Sequence, residues 1–255
     1  MDTAYIDTLA ARAGLADIWT RVADGRRLSE ADAVALLESD DILAIGALAD
    51  FARSRAAGDD VYFVANRHIN HTNVCRNRCL FCAFSPDDGD VEAFTLSVDE
   101  VIEKARETLT GGITEIHIVG GEHPDLPFGY YLDMMRGLKE VAPDVHIQAF
   151  TASEIAHLAK IAGMTVEETL RTLKEAGLGS LPGGGAEVFS GRVRELICER
   201  KISGQEWLDV MRVAHGAGLK SNATMLYGHV ETPAELADHM VRLRDLQDDT
   251  GGFNA

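Results

Sequence analysis

After Gly58 the sequence alternates short apolar runs with longer amphipathic segments, and this alternation limits the possible fold more than any other feature. Short apolar runs between turn residues favour strands, whereas apolar residues repeated at helical spacing favour helices. Strands that alternate with helices form right-handed βαβ units and so a parallel sheet, either open or closed into a barrel. We favour the barrel and predict an α/β fold of the TIM-like (β/α) type. The predicted strands span residues 61–65, 115–120, 145–150, 178–183 and 220–228.

Residues 1–58 and the last few residues do not share the strand–helix alternation. Residues 1–58 carry apolar residues at helical spacing and predict an N-terminal helical segment packed on the barrel. Within it, Ser29 and Asp32 suit the start of a helix, where side-chain oxygens accept hydrogen bonds from backbone N–H groups. Residues 59–255 form the predicted barrel, and their last stretch, TGGFNA, has the character of a loop into a sixth strand. Because the sequence stops at Ala255, we expect a C-terminally truncated barrel.

Composition disfavours several classes of partner. A chain of 255 residues with 46% hydrophobic content can bury a substantial core. The formal net charge of −17, without a dense run of Lys or Arg, disfavours binding to nucleic acid or to anionic lipid. The N-terminus carries acidic residues where a signal peptide carries basic ones, and no apolar run approaches membrane-spanning length. We therefore expect a soluble cytoplasmic protein that binds neither nucleic acid nor a membrane.

The chemistry of the sequence centres on three of its 4 cysteines, Cys75, Cys79 and Cys82, which follow the first predicted strand. Parallel α/β folds place their reactive groups at the carboxyl ends of strands. The Cys-x3-Cys-x2-Cys spacing offers three thiolates to one centre. A loop this short can hold a cube-shaped iron–sulfur cluster that leaves one iron open to a substrate. A zinc site completed by His68 or His71 is the alternative, and it would indicate a non-catalytic metal-binding protein.

The cysteine spacing, together with Phe81 directly before the last cysteine, resembles the motif of the radical S-adenosylmethionine (SAM) superfamily. The resemblance implies that Cys75, Cys79 and Cys82 hold a 4Fe-4S cluster and that Phe81 belongs to the cofactor site. It further implies that SAM binds the open iron and is consumed as a co-substrate. An external electron donor of the flavodoxin or ferredoxin type is implied as the protein partner.

Two further motifs resemble elements of that superfamily. VGGEHP, after the second predicted strand, is similar to the Gly-Gly-Glu element that meets the methionine amino group of SAM. The matching residues are Gly120, Gly121 and Glu122. MLYGHVE, which we place on the fifth predicted strand, is similar to an Ile-x-Gly-x-x-Glu pattern that contacts the cofactor, with Leu replacing Ile. The matching residues are Leu226, Gly228 and Glu231.

Within the superfamily, QAFTASEI, SLPGGGAEVF and SNATMLYGH resemble the menaquinone and deazaflavin branch, and most of all the aminofutalosine synthase family. The resemblance implies a transferase that adds the 5′-deoxyadenosyl radical to 3-[(1-carboxyvinyl)oxy]benzoate, its small-molecule substrate. Loss of carbon dioxide then gives aminofutalosine in the futalosine pathway of menaquinone biosynthesis. Two alternatives stay open. One is a sibling that abstracts hydrogen, such as dehypoxanthine futalosine cyclase or FO synthase, and the other is the zinc-binding protein.

Site residues beyond the cluster follow from position near strand ends. His123 and His229 are the candidate catalytic groups, because each directly follows a residue assigned to SAM. Ser180 and Glu187 are candidate cofactor ligands, for the carboxylate and the ribose hydroxyls of SAM. Each histidine has the alternative role of a core residue that bonds the backbone. The remaining polar groups near strand ends are candidate substrate ligands: His71, Asn73, Arg78, Arg192, Asn222, Thr224 and Tyr227.

Overall fold

The computed structural model describes residues 3–83 and 86–255, which divide into two compact units. The first unit comprises the chain up to Phe63 together with Glu231–Val241. The second comprises Val64–Val230 together with Arg242–Ala255. Within the described ranges, no helix combines the length and the apolar character that crossing a membrane requires.

The described ranges alternate strands and helices as the sequence pattern predicts. The helices are α1 (Thr3–Arg12), α2 (Ala16–Ala23), α3 (Glu30–Leu37), α4 (Ile42–Ala57), α5 (Val98–Arg106), α6 (Phe128–Val141), α7 (Ala152–Ala162), α8 (Val166–Glu175), α9 (Gly191–Ile197), α10 (Gly204–Gly216) and α11 (Pro233–Thr250). The strands are β1 (Asn66–Ile69), β2 (Glu115–Ile118), β3 (His146–Ala149), β4 (Ser180–Leu181) and β5 (Lys220–Ser221). A short 3-10 helix, Leu109–Gly111, follows α5. Each strand is followed by at least one α-helix.

Several helices begin where the sequence supplies a side-chain cap. At α3 the Ser29 hydroxyl accepts a hydrogen bond from the Asp32 N–H, and the Asp32 carboxylate accepts one from the Ser29 N–H. This confirms the predicted cap, and an arrangement of this kind contributes about 1 kcal/mol. The same reciprocal pair starts α5, α7, α8 and α10, at Ser97, Thr151, Thr165 and Ser203.

The first unit has an apolar core of its own, formed by α1, α2 and α4. Ile6 and Leu9 of α1, Trp19 of α2 and Leu48 of α4 are all buried in it. The Trp19 ring packs edge-on against Phe51, with 4.9 Å between the ring centroids. The predicted N-terminal helical segment is therefore helical and has its own apolar core.

The five strands form one parallel sheet in the order β1-β2-β3-β4-β5. Each strand pairs with the next one along the chain, which is the arrangement of a (β/α) barrel wall. Beyond β5, Phe253 forms an isolated parallel bridge with Ser221, so TGGFNA reaches the position of a sixth strand. The α/β fold, a partial TIM-like barrel, is confirmed.

The first predicted strand was placed wrongly. Residues 61–65 lie in no regular element, and Val61, Tyr62 and Phe63 are 89%, 87% and 89% exposed. Backbone pairing with the segment that leads into β2 begins at Ala65, whose carbonyl accepts the N–H of Thr114 at 2.8 Å. Strand β1 therefore begins directly after Ala65. Apolar content alone therefore misplaced the strand, which runs from Asn66 to Ile69.

The fifth predicted strand, residues 220–228, was too long, and so was the fourth, residues 178–183. After Ser221 the chain leaves the ladder and bonds the loop that follows β4. The Thr224 hydroxyl donates to the Gly183 carbonyl at 2.6 Å, and the Leu226 N–H donates to the Glu187 carbonyl at 3.0 Å. MLYGHVE therefore lies beyond β5 and not on it.

The core of the second unit lies between the sheet and its helices. Ile116, Ile118 and Ile147 project from the strands, and Met134 and Leu138 from α6, and all of them are fully or almost fully buried. Burial of one such side chain contributes about 1.5–3 kcal/mol. This packing fixes the strand ends from which the polar loops extend.

One histidine belongs to this core. His71 has no exposed surface, and neither of its ring nitrogens has a hydrogen-bond partner in the described ranges. Its ring packs edge-on against Tyr131 at 5.6 Å between centroids. A Cβ on Gly120 would lie 2.5 Å from the same ring. Burial, with a smaller contribution from His123, lowers the pKa of His71 to about 4, so the imidazole is neutral.

This burial predicts a pH effect on stability. Because the folded-state pKa of His71 is depressed, the unfolded chain binds a proton at higher pH than the folded chain. The associated stability is present above about pH 6.5 and is lost as the pH falls toward about 4. Between about pH 7.5 and about pH 5, the wild type should lose about 2 kcal/mol more unfolding free energy than His71→Phe. Urea unfolding at both pH values measures the difference, and equal pH dependence in the two proteins would contradict it.

Candidate active site

The loop after β1 carries the three cysteines and is fastened at its start. The amide oxygen of Asn73 accepts the N–H of Phe94 at 2.8 Å, and its amide nitrogen donates to the Glu92 carbonyl at 2.7 Å. The Thr72 hydroxyl donates to the Phe94 carbonyl at 2.9 Å. Asn73, a predicted substrate ligand, therefore has both side-chain atoms engaged in holding the loop to the segment before α5.

Residues 120–122, here called the glycine strap, follow β2 and pack directly against the cysteine loop. The Arg76 N–H donates to the Glu122 carbonyl at 3.1 Å, and the Glu122 N–H donates to Cys75 Sγ at 3.4 Å. A Cβ on Gly121 would lie 2.0 Å from the Val74 carbonyl oxygen, so only glycine fits there. The strap therefore fixes the position of the first cysteine.

Strap and loop enclose a cavity of about 160 Å³, here called the inner cavity. Cys79 is buried and Cys75 and Cys82 are half-buried, and all three line it. The ends of four neighbouring strands thus converge on one space, as a parallel sheet requires. The other lining residues are Asn77, Val119, Gly120, Gly121, Glu122, Thr151, Ser153, Glu154, Gly185 and Lys201.

The donor set fits a multi-iron cluster. In the described ranges, no three His, Cys, Asp or Glu side chains lie close enough together to hold a single metal ion. His68 stacks on His117 at 4.9 Å between centroids and His71 lies in the core, so neither lines the inner cavity. Three thiols spread around one cavity match the ligand set of a 4Fe-4S cluster with one open iron. The histidines of the zinc alternative lie elsewhere.

Burial favours the neutral thiol forms of Cys75 and Cys79. Burial raises the pKa of Cys79 to about 12, although the nearby Lys201 ammonium opposes the shift. Burial also raises the pKa of Cys75, against the N–H groups of Asn77 and Glu122 that favour its thiolate. Because metal ligation requires thiolates, filling this site releases protons.

Asn77 is an unpaired amide inside the cysteine loop. It is 2% exposed, and neither its amide oxygen nor its amide nitrogen has a hydrogen-bond partner in the described ranges. Leaving such a group unsatisfied costs about 1–3 kcal/mol. Since Asn77 lines the inner cavity, its free donor and acceptor indicate a polar ligand there.

Two buried carboxylates stand on the α7 side of the cavity. Glu122 accepts a hydrogen bond from the Ser153 hydroxyl. Glu154 accepts the N–H of Gly120 at 3.0 Å and the N–H of Thr151 at 2.8 Å. Burial raises the pKa of Glu154 to about 7, and the charge of Glu122 adds to the rise, whereas the bonds from Thr151 and Gly120 oppose it. A cation bound here would relieve this repulsion.

A buried ion pair brings a positive charge to the lining of the cavity. Lys201 Nζ lies 2.6 Å from Glu187 Oε1, and the two side chains are only 16% and 9% exposed. Burial lowers the pKa of Lys201, but the charge and hydrogen bond of Glu187, together with the nearby Cys79 and Cys198, outweigh it and the net shift is upward. The ammonium also lies 5.7 Å from the centroid of the Phe81 ring. Lys201 therefore remains charged at the wall of the cavity.

Backbone strain gathers around the same site. In the described ranges, the non-glycine residues with positive φ are Arg78 at 47°, Phe150 at 61° and Glu187 at 47°. They lie in the cysteine loop, at the end of β3 and after the glycines that follow β4. Such conformations cost of order 1 kcal/mol each and persist where the surroundings enforce them, often at functional sites.

The two predicted catalytic histidines lie apart from the lining. His123 is buried next to the strap, where its Nδ1 accepts the N–H of Asp125 at 3.1 Å. His229 is exposed, with Nε2 at 3.1 Å from the Leu226 carbonyl. The structure therefore leaves their catalytic role a prediction.

Several predicted ligands are engaged elsewhere in the fold. The Ser180 hydroxyl lies 2.7 Å from His146 Nε2 and accepts from Gln148 Nε2 at 3.2 Å. Arg78 forms an ion pair with Asp87, and Arg192 donates to the Val230 carbonyl at 2.8 Å. Glu231 belongs to the first unit. The predicted residues outside the inner lining are His71, Asn73, Arg78, Phe81, His123, Ser180, Glu187, Arg192, Asn222, Thr224, Leu226, Tyr227, Gly228, His229 and Glu231.

Several lining residues are not among the predicted site residues. They are Asn77, Thr151, Ser153, Glu154 and Lys201. A signal existed for Thr151 and Glu154, because Thr-x-x-Glu directly after a strand marks a helix start at the carboxyl edge of the sheet. No comparable signal marked Lys201, which follows α9 and reaches the cavity only through the fold.

Comparison with known proteins establishes the family. The sequence profile of the Radical SAM superfamily matches residues 69–243. The chain belongs to this superfamily. The radical SAM chain is 47% identical to aminodeoxyfutalosine synthase of Thermus thermophilus, over 94% of the chain and 64% of that protein. It is 46% identical to aminodeoxyfutalosine synthase of Streptomyces coelicolor, over 91% of the chain and 60% of that protein.

The chain is also similar to another curated transferase and, in fold, to a solved structure. The chain is 46% identical to the 5-amino-6-(D-ribitylamino)uracil–L-tyrosine 4-hydroxyphenyl transferase of Methanopyrus kandleri, over 79% of the chain and 55% of that protein. The chain thus spans less than two thirds of the length of these curated relatives. The solved structure of HydG from Carboxydothermus hydrogenoformans superposes with a TM-score of 0.72 at 19% identity, over 98% of the chain and 60% of HydG. At that identity the likeness concerns the fold alone.

The contact between strap and loop predicts the effect of a single methyl group. Gly121→Ala places a Cβ against the Val74 carbonyl and should cost about 1–3 kcal/mol of unfolding free energy. Because the strap positions Cys75, iron and sulfide bound per chain after anaerobic reconstitution should also fall severalfold. Gly129→Ala in α6 is the matched control, since nothing lies within 4 Å of its added Cβ. Equal iron content and stability in the two variants would show that the strap does not fix the loop.

Proposed function

We propose that this radical SAM protein is an aminofutalosine synthase, which joins the adenosyl group of SAM to 3-[(1-carboxyvinyl)oxy]benzoate with loss of carbon dioxide. The observation that carries the proposal is the inner cavity, where three thiols, the glycine strap and two carboxylates meet. Identity of 46–47% to aminodeoxyfutalosine synthases over 91–94% of the chain supports this substrate assignment within the superfamily.

The charges of the cavity suit the methionine end of SAM, which carries an ammonium, a carboxylate and a sulfonium. Glu122 and Glu154 offer negative charge and Lys201 offers a positive charge in the lining of the same cavity. A cation beside the two carboxylates favours their ionised forms and would lower the pKa of Glu154. The free amide of Asn77 can both donate to and accept from the same ligand.

The chain's own contribution is to hold the reacting groups and to exclude water. When bound, the cluster supplies the electron that cleaves the S–C5′ bond of SAM and so releases the 5′-deoxyadenosyl radical. Cys75, Cys79 and Cys82 would hold the cluster, while Gly120 and Gly121 let the backbone approach the ligand closely. Burial of the cavity protects a radical from quenching by solvent.

The aromatic substrate carries two carboxylates, and the segment after β5 supplies groups suited to them. Tyr227 and His229 are exposed there, and the exposed Arg192 donates to the Val230 carbonyl of the same segment. We assign substrate binding to this segment, with His123 and His229 as the candidate proton-carrying groups. Holding both partners in one geometry converts a bimolecular addition into an effectively intramolecular one.

A sibling radical SAM enzyme is the second candidate function. The 46% identity to a 4-hydroxyphenyl transferase equals that to one of the aminodeoxyfutalosine synthases. A sibling that abstracts hydrogen from its substrate would release free 5′-deoxyadenosine and would not incorporate the adenosyl group into a product. The fate of the adenosyl group therefore separates the two candidates.

We expect the protein, reconstituted with iron and sulfide and reduced under anaerobic conditions, to convert SAM and 3-[(1-carboxyvinyl)oxy]benzoate into an adenosyl adduct that has lost carbon dioxide. Cys79→Ala should reduce the yield at least about a hundredfold, because one of the three cluster ligands is removed. Cys198→Ala is the matched control, since Cys198 is 2% exposed and does not line the inner cavity. Mass spectrometry of the products measures both.

Two results would revise the proposal. Free 5′-deoxyadenosine without the adduct, from protein that holds its cluster, would favour the hydrogen-abstracting sibling. Equal adduct yields from Cys79→Ala and wild type would contradict the assignment of the cluster site.

A further inference from the structure

A second cavity lies beside the first and shares part of its wall. It measures about 350 Å³ and is here called the outer cavity. Glu122, Ser153 and Lys201 line both cavities, so one layer of side chains separates the outer cavity from the cysteines. The active site described above makes no use of this space.

The rim of the outer cavity is positively charged. Arg76, Lys160 and Arg200 line it and are exposed, and none of them forms an ion pair with a residue of the described ranges. The exposed carboxylate among the lining residues is Glu206, while Glu122 is only 8% exposed. A local excess of exposed cations is notable in a chain of net charge −17, because carboxylates are abundant elsewhere on the molecule.

Two of the rim cations act on a side chain at the floor of the cavity. His157 is buried there, with Nε2 at 3.0 Å from the His123 carbonyl. Burial lowers the pKa of His157, the charge of Glu122 and the hydrogen bond with the His123 carbonyl raise it, and the smaller effects of Arg76 and Lys160 lower it. Both cations therefore lie close enough to act on the same imidazole.

The cationic rim is continuous with the cluster loop. Arg76 directly follows Cys75, and its N–H donates to the Glu122 carbonyl at 3.1 Å. Arg200 Nη1 donates to the Arg76 carbonyl at 3.3 Å. A molecule bound at the rim would therefore sit against the backbone that carries the first cysteine.

We propose that the rim formed by Arg76, Lys160 and Arg200 is the docking surface for an acidic one-electron carrier protein, such as a flavodoxin. The inference rests on the proposed function, because the cluster needs an external reductant. One electron leaves the carrier and enters the bound cluster, so the carrier is oxidised and the cluster reduced by that electron. Opposite surface charges steer such encounters and raise their rates.

The test compares two pairs of charge reversals of equal net change. The double variant Lys160→Glu with Arg200→Glu removes rim charge and replaces no residue of the cysteine loop. It also removes the hydrogen bond from Arg200 to the Arg76 carbonyl, so bound iron is measured alongside the rates. The control, Lys104→Glu with Arg171→Glu, reverses exposed cations on α5 and α8 that line neither cavity. Stopped-flow measurement follows the visible absorbance of the reconstituted cluster after mixing with reduced flavodoxin. The rim variant should react about tenfold more slowly at low salt, and the control should match the wild type.

Reduction by dithionite, a small molecule that needs no docking surface, separates docking from the other properties of the protein. The rim variant should bind wild-type amounts of iron and form product normally with dithionite. Equal flavodoxin rates in wild type and rim variant would overturn the docking proposal even if product is formed. If neither the wild type nor the variants form the aminofutalosine product with dithionite, the proposed function is overturned. The docking proposal is then tested by the flavodoxin reduction rates alone.

If the rim variant does not fold, the salt dependence of wild-type reduction by flavodoxin tests the proposal. The rate of reduction by flavodoxin should fall steeply between about 0.05 M and about 0.5 M salt, because exposed charges are screened. Reduction rates independent of salt in the wild type would overturn the proposal.

Discussion

The contact between Gly121 and the Val74 carbonyl is the constraint on which the site depends. Because position 121 has no Cβ, the strap approaches the cysteine loop closely enough for two hydrogen bonds, from Arg76 to Glu122 and from Glu122 to Cys75. Strap and loop each leave the carboxyl end of a strand, β2 and β1, which are paired in register. The sheet therefore sets the distance between the cysteines and the glycine strap, and packing of the apolar core sets the sheet.

Groups of both charges line the inner cavity. Carboxylates gather on the α7 side, where backbone N–H groups at the helix start and the strap stabilise Glu154 despite its burial. The same lining holds a cation, Lys201, which pairs with Glu187. A zwitterionic ligand would meet charges of both signs in this lining, so its binding would offset part of the cost of burying these charged groups. The orphaned amide of Asn77 fits the same picture.

The sequence predicted those parts of the structure that local patterns determine. Strand–helix alternation is local, so the barrel wall was predicted, and the cysteine loop and the strap are contiguous motifs. Strand bounds depend on pairing partners, which explains why residues 61–65 were misread and why β5 ends at Ser221. Lys201 and Glu154 lie far from the cysteines in sequence and reach them only through the fold, so the cysteine motif itself contains no signal for them.

Lys201 lines both cavities, so its positive charge acts on both of them. Its ammonium lines the inner cavity beside Cys79 and lines the outer cavity beneath the cationic rim. A fixed positive charge beside a cluster held by these thiols would favour the reduced state of that cluster, because reduction adds negative charge. Glu187 limits this effect by pairing with the same ammonium, and its strained backbone holds the carboxylate in that position. The charge beside the three thiols is therefore set by one buried cation and one buried anion, both supplied by the segment between β4 and α10.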